Sequence, residues 1–401
     1  MKSIPTEFFT NNRQKLTNSL DKPGLIIVPG NGLLQSRSDT SYPFKQDSNF
    51  FYLTGINEPN ATLVIDMRNS KQWVQLPIKS DVNLIFDGST DKSLLINNSG
   101  INEIIDDQEG WRRIDRALES NVLVYSPEAP RPYIKQVNFY TNPHRLTIIN
   151  KLKRRKKVNL VDILGTLARL RQIKHNIEIE QIKTAVNITK STLDSILPIA
   201  IDYKSEAALE GAIFAEFRKH GASGHAYEPI VASGSNACIL HYIDNYQQLT
   251  RGELLLVDVG AEANNYAADI SRTIALGKNC DNRQKNVIDA VELVQQDAIN
   301  YLKAGKSWLG YIDHCNELMA NQLLRLKLIT SIRDTDGLRR YFPHSISHYL
   351  GLDVHDVGSY KDDFQENMVI TVEPGIYIPE EGIGVRIEDD IVVTKSGAKI
   401  I

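Results

Sequence analysis

Leu254-Leu255-Leu256-Val257-Asp258-Val259 opens the stretch LLLVDVGAEANNYAADISRT (254–273), an apolar run interrupted by one carboxylate and followed eleven residues later by a second, Asp269. The run reads as a buried strand, and an unpaired buried carboxylate costs several kcal/mol or more, so each Asp calls for a cation or for donors. The small and Asn residues of GAEANNY read as the loop of a hairpin. Centred between Ala263 and Asn264, that hairpin sets Asp258 opposite Asp269, with Cβ atoms about 5 Å apart. Facing carboxylates repel; either one is held protonated as an acid, or a divalent cation lies between them.

Further along, a second acidic pair repeats the pattern. Glu373 follows the strand-like run Met368 to Val372 and precedes Pro374-Gly375, and Glu388 ends Gly384-Val385-Arg386-Ile387-Glu388. Strand alternation turns Arg386 and Glu388 to one face and Val385 and Ile387 to the other. Between the pairs lies His344-Ser-Ile-Ser-His348-Tyr-Leu-Gly-Leu-Asp-Val-His355, a density of histidine that favours a site over isolated core residues. His344 and His348 have the spacing of HExxH, but Ser345 stands where that motif requires Glu, which excludes it. Two Asp, two Glu and one His carry four negative charges, the number that balances two divalent ions, and such a donor set suits Mn²⁺, or less specifically Zn²⁺ or Co²⁺. Two ions roughly 3.5–4 Å apart supply a nucleophilic hydroxide at neutral pH.

The rest of the chain sets bounds on this reading. Its 401 residues allow two or three domains of about 100–200 residues each. With 46 Lys+Arg against 49 Asp+Glu, the net charge of -3 gives no general attraction to nucleic acid or anionic membrane. The N-terminal MKSIPTEFFTNNRQKL lacks the apolar core of a secretory signal, and no stretch of about 18 apolar residues follows, so the chain reads as cytoplasmic. Cys238, Cys280 and Cys315 support neither a disulfide framework nor a cysteine zinc site; Cys238 near His241 reads as a free thiol. Residues 1–165 alternate strand-like runs (Gly24 to Pro29, Ala61 to Ile65, Trp73 to Ile78, Val122 to Tyr125) with helical stretches, an α/β pattern. A second domain, 166–401, carries three amphipathic helices: one from Asn176, one opening with Asp281 and Gln284 as a capping box, and one from Ser307 through Leu324. The basic run Lys151 to Lys157 reads as a solvated face, and Gly305-Lys306-Ser307 lacks both the first Gly and the lead-in strand of a phosphate loop.

Asp258, Asp269, His348, Glu373 and Glu388, set in LLLVDVGAEANNYAADISRT, HYLGLDVHDVG, ITVEPGIY and GIGVRIEDDIVVT, resemble in order and context the ligand set of the pita-bread metallopeptidases, and more narrowly the Xaa-Pro aminopeptidases (aminopeptidase P). SYPFKQDSNFFYLTGINEP (41–59) resembles the signature of that family's creatinase-like N-terminal domain. The resemblance implies a pita-bread catalytic domain behind a smaller mixed α/β domain, and a homodimer or homotetramer. It implies that Asp269 and Glu388 bridge two metal ions, that Asp258 binds one, and that His348 and Glu373 complete the other. Glu373 would also carry a proton to the leaving proline nitrogen. His241 and His355 would line the substrate site and support the tetrahedral intermediate, His344 would wall the proline pocket, and Tyr377 and Arg386 would stand alongside. The substrates implied are peptides with proline second, whose tertiary amide needs a dedicated pocket.

Three departures from the family pattern stand out. Ser345-Ile346 replaces the usual Gly-Leu, the chain ends soon after the last strand, and no tryptophan lies near Asn83-Leu84-Ile85-Phe86, where bacterial relatives carry one that reaches a neighbouring subunit. Prolidases share every ligand but must grip a proline carboxylate with a cation. The short Ser359 to Asn367 segment offers only Lys361, which favours action on longer peptides. A non-catalytic binding module of the same fold is the remaining alternative, and such chains typically lose ligands that are all present here.

Overall fold

The computed structural model describes residues 3–119, 122–128, 141–155, 158–277 and 279–401; Lys156 and Lys157 of the basic run lie outside them. Contacts divide the chain into two compact units, Ser3–Arg171 and Gln172–Ile401.

In the first unit the fully buried strand Leu25–Pro29 runs antiparallel to Thr62–Asp66 and parallel to Val122–Ser126. Lys71–Leu76 and Glu103–Asp106 extend the sheet on one side and Val158–Asp162 on the other, giving six strands of mixed direction. Within the 41–59 motif, Asp47 caps the Ser48–Thr54 helix by accepting from the Asn49 and Phe50 N–H groups, and Gly55 (φ 66°) ends it.

The second unit is built of antiparallel ladders packed on helices. The Asn176–Ile196 helix opens with a capping box of His175 and Glu178, the Asn282–Tyr301 helix with one of Asp281 and Gln284, and Ser307 caps Trp308–Arg325. Val287, Val291 and Val294 meet Tyr311, Cys315 and Met319 in the main core, closed by Ile370, Val372, Ile391 and Val393 of the strands. No helix among the described residues is long and apolar enough to cross a membrane.

The register of the 254–273 hairpin differs from the expected one. Ala263 pairs with Tyr266 around an Asn264–Asn265 turn, both with positive φ (50° and 66°), so Asp258 pairs with Ser271 and not with Asp269. Asparagine tolerates the left-handed region that such two-residue hairpin turns require, which places the turn one residue later than composition suggests. Asp269 lies instead in the irregular Ala268–Asp269 step opposite Gly260, where a Cβ would sit 1.7 Å from the Ala268 carbonyl oxygen. Only glycine permits that approach.

Candidate active site

Asp258 is the next-to-last residue of the buried Leu254–Val259 strand, and Asp269 immediately precedes the Ile270–Ala275 strand paired with it. Although they are not directly paired, their carboxylates converge: Asp258 Oδ1 lies 2.5 Å and Asp269 Oδ1 2.6 Å from the Tyr227 hydroxyl. One hydroxyl proton cannot serve two carboxylates, so the second needs a proton or cation from elsewhere. Tyr227 stands in the loop before Ile230–Ser233, and nothing in its sequence context singles it out.

Glu373 follows Val369–Val372, and Glu388 lies between Ile383–Arg386 and Asp389–Val393. Ligand-type atoms of Asp269, His348 and Glu388 all lie within 4.8 Å of one another, with all three residues screened from solvent. Glu373 Oε1 and Asp269 Oδ2 are each 3.4 Å from His348 Nε2. The His348 tautomer follows from its other nitrogen. Nδ1–H donates to the Tyr349 carbonyl (3.0 Å), which turns Nε2 toward the carboxylates, where it carries a proton to Asp269 or gives that proton up to bind a cation.

The electrostatics describe a pocket short of positive charge. Burial, then the neighbouring carboxylates, push Glu388 well above the usual range; burial pushes Glu373 up to about 7 and also raises Asp269. Burial opposes a charge on His348, yet hydrogen bonding to Asp269 and the field of Glu373 overturn it and push it up to about 9. Glu388 Oε2 accepts from the Ser271 hydroxyl (2.8 Å), but Oε1 is buried with no hydrogen-bond partner among the described residues. Asp390 repeats this: Oδ2 accepts from the Asp269 N–H (3.0 Å), while Oδ1 is buried and unpartnered. Orphaned carboxylate oxygens beside an imidazole nitrogen that faces only carboxylates are what a divalent cation satisfies in place of protons, so the residues fit the metal the donor set calls for.

Arg386 ties the pocket together from behind. It donates to Asp258 Oδ2 (2.5 Å), to the Tyr377 hydroxyl (2.9 Å) and to the Ser271 hydroxyl (3.0 Å) while only 4 % exposed. Tyr377, already an acceptor from Arg386, gives its own proton to His344 Nε2 (2.8 Å), and His344 Nδ1–H goes to the Ser345 carbonyl (2.9 Å). Both nitrogens of His344 are thereby committed, and burial with Arg386 nearby pushes it down to about 4, so it is a neutral wall. His241 and His355 are exposed at the rim. His355 stacks edge-on to His348 (4.5 Å), and the field of His241 bears on both His344 and His355. Ser271 and Tyr227 had no sequence signal, since a hydroxyl in or beside a strand is commonplace.

A buried carboxylate and histidine pocket on antiparallel strands, fitted for divalent cations and rimmed by histidines, defines a metal-dependent hydrolase. Residues 180–395 match the model of metallopeptidase family M24, and residues 9–125 match that of the aminopeptidase P N-terminal domain. The chain belongs to metallopeptidase family M24 and has its pita-bread catalytic domain behind an N-terminal domain of the aminopeptidase P type. It is 32% identical to an Xaa-Pro aminopeptidase of Haemophilus influenzae, covering 100% of this chain and 95% of that one. To the Xaa-Pro aminopeptidase of Escherichia coli it is 30% identical over 99% and 94% of the two chains. Among solved structures, aminopeptidase P from E. coli with the inhibitor Pro-Leu superposes with a TM-score of 0.84 at 29% identity, covering 100% of this chain and 95% of that chain. Proline aminopeptidase P II from Yersinia pestis gives 0.86 at 29% identity, covering 99% and 96%.

Proposed function

We propose that the protein is an Xaa-Pro aminopeptidase, releasing the N-terminal residue from peptides with proline second. The observation that carries this reading is the convergence of Asp269, His348 and Glu388 in one buried pocket, on a chain similar along its whole length to Xaa-Pro aminopeptidases. Arg386 cancels one of the four carboxylates Asp258, Asp269, Glu373 and Glu388, leaving more negative charge than one divalent ion neutralises; this supports two ions, Mn²⁺ by donor type. Asp258, Asp269, His348, Glu373 and Glu388 would hold them. When bound, such a pair supplies an activated water and polarises the scissile carbonyl.

The chain's own residues do the remaining work. Glu373, with Oε1 3.4 Å from His348 Nε2 inside the pocket, would carry a proton to the proline nitrogen. His241 and His355 stand exposed where a peptide enters and donate to the developing oxyanion. His344, held neutral by Ser345 and Tyr377, offers a fixed ring face to the proline. Arg386 and Tyr377 hold Asp258 and His344 in place.

Assembly into two or four copies belongs to the same proposal. The Asp81–Asp87 helix leaves Val82, Ile85 and Phe86 60–82% exposed, an apolar face of the kind that contacts another protein surface, and sedimentation gives the state directly.

The test is hydrolysis of an Xaa-Pro dipeptide beside an Xaa-Pro-Xaa tripeptide, by protein stripped of metal and reloaded with Mn²⁺. Cleavage of the tripeptide with little of the dipeptide is expected. The reverse makes the protein a prolidase, and silence on both makes it a binding module. Asp269→Ala should abolish turnover and metal uptake; retained turnover would refute the ligand assignment.

A further inference from the structure

His241 stands on the 234–250 segment, whose regular structure is a single short 3-10 turn at Gly234–Cys238. A segment without a ladder is placed by its side-chain bonds, and here they meet at one atom pair. Glu206, 0% exposed, is the first residue of the Glu206–Lys219 helix. Its Oε1 accepts from the Ser233 N–H (2.7 Å), the Ser233 hydroxyl (2.8 Å) and Asn236 Nδ2 (3.2 Å). Its Oε2 accepts from the Tyr242 hydroxyl (2.8 Å) and the Gln247 N–H (2.8 Å). The donors therefore lie before His241, beside it and after it.

The main chain reinforces this. The Glu206 N–H donates to the Gln247 carbonyl (3.0 Å), and the Leu249 N–H donates to that of Lys204 (2.8 Å). One helical turn on, Glu210 accepts from Asn245 Nδ2 (2.9 Å), whose own Oδ1 accepts from the Val231 N–H (3.0 Å). A carboxylate suits the hub position because it is acceptor-only, and the helix N-terminus favours its charge. Glutamine of the same size would turn an NH₂ group against two or three donors.

We infer that Glu206 is a positioning residue for His241, holding in place the loop that carries its imidazole. The inference rests on the proposed substrate-site role of His241. Glu206 acts through that residue and touches no reacting group.

The test is a double-mutant cycle on the metal-loaded enzyme, with kcat and KM for an Xaa-Pro tripeptide measured for Glu206→Gln, His241→Ala and the double variant. Because small displacements of a positioned group cost up to about a hundredfold, Glu206→Gln should lower kcat/KM about tenfold to a hundredfold. Bound metal should not change, because the ligands lie on other strands. In the His241→Ala background the same substitution should cost nothing further. Native kcat/KM in Glu206→Gln, or losses that multiply in the double variant, would overturn the inference while leaving the role of His241 intact. Full activity in His241→Ala would instead remove His241 from the substrate site, and this inference with it. Should Glu206→Gln fail to fold, Tyr242→Phe, which deletes one donor, takes its place: a smaller loss that again vanishes without His241 supports the inference, and one that persists refutes it.

Discussion

Acidification should unfold this protein partly through a histidine outside the active site. His225, in the two-residue strand beside Ala261, packs its ring against Phe217 (centroids 5.1 Å apart) and Phe214 (5.7 Å). Both ring nitrogens are buried without hydrogen-bond partners among the described residues, and burial lowers its pKa from 6.5 to about 4. Between those values the unfolded chain binds a proton that the folded chain refuses, so stability falls as pH drops from 6.5 toward 4. A shift of that size, at about 1.36 kcal/mol per unit, corresponds to about 3 kcal/mol lost across the window. His225→Leu removes the titrating group while keeping an apolar side chain between the two phenylalanines. Between pH 7 and 4 the urea midpoint of metal-stripped wild type should fall further than that of the metal-stripped variant; on free energies, the variant's curve should be flatter by about 3 kcal/mol. Metal stripping removes loss of ligand binding as a second source of acid sensitivity. Parallel curves would refute the reasoning, since they would mean that His225 titrates alike in both states.

Three further outcomes are expected. Tyr227→Phe, which leaves Asp258 and Asp269 without their shared hydroxyl, should weaken Mn²⁺ binding about 10–100-fold in calorimetric titration; unchanged affinity would deny Tyr227 any hold on the ligands. Lys174 and Asp356 form a buried pair at 2.7 Å, so Lys174→Met should cost about 3–5 kcal/mol in thermal denaturation, and adding Asp356→Leu should recover much of it. Burial pushes the Glu178 carboxyl up from 4.5 to about 7, so the folded state holds a proton that the unfolded state has lost between those values. Stability should therefore decline as pH rises through that window in wild type, and less so in Glu178→Gln; equal declines would assign the effect elsewhere.

The proposed metal ligands were legible because carboxylates are costly in apolar strands: Asp258 inside LLLVDV and Glu388 after GVRI disturb their patterns, and the resemblance supplied the order of all five. The hairpin register was not legible. Centring the turn one residue early shifts every pair, and only the positive φ of Asn264 and Asn265 reveals which two residues make it. The convergence of Asp258 and Asp269 survived that error because the irregular step at Asp269 turns its carboxylate back toward Tyr227. Tyr227, Ser271 and Glu206 were invisible for another reason. Their importance lies in partners 27 to more than 100 residues away, such as Ser233 for Glu206 and Glu388 for Ser271, and local pattern carries no information about such pairings. Glu178, in the first turn of its helix, is a buried group bonded to Tyr266, a pairing 88 residues away that the helical pattern does not reveal.

The first residues of the second unit, Gln172 to His175, bear on how the catalytic half could be cut free. Gln172 Oε1 accepts from the Ser359 N–H (3.0 Å), the Lys174 N–H donates to the Asn367 carbonyl (2.9 Å), and Lys174 Nζ holds Asp356, next to His355. A fragment begun at Asn176, where the helix starts, would look tidy by secondary structure and would discard all three ties to the 356–367 loop. One begun at or before Gln172 would keep them, so the two fragments should differ most in the order of that loop, although both contain every proposed metal ligand.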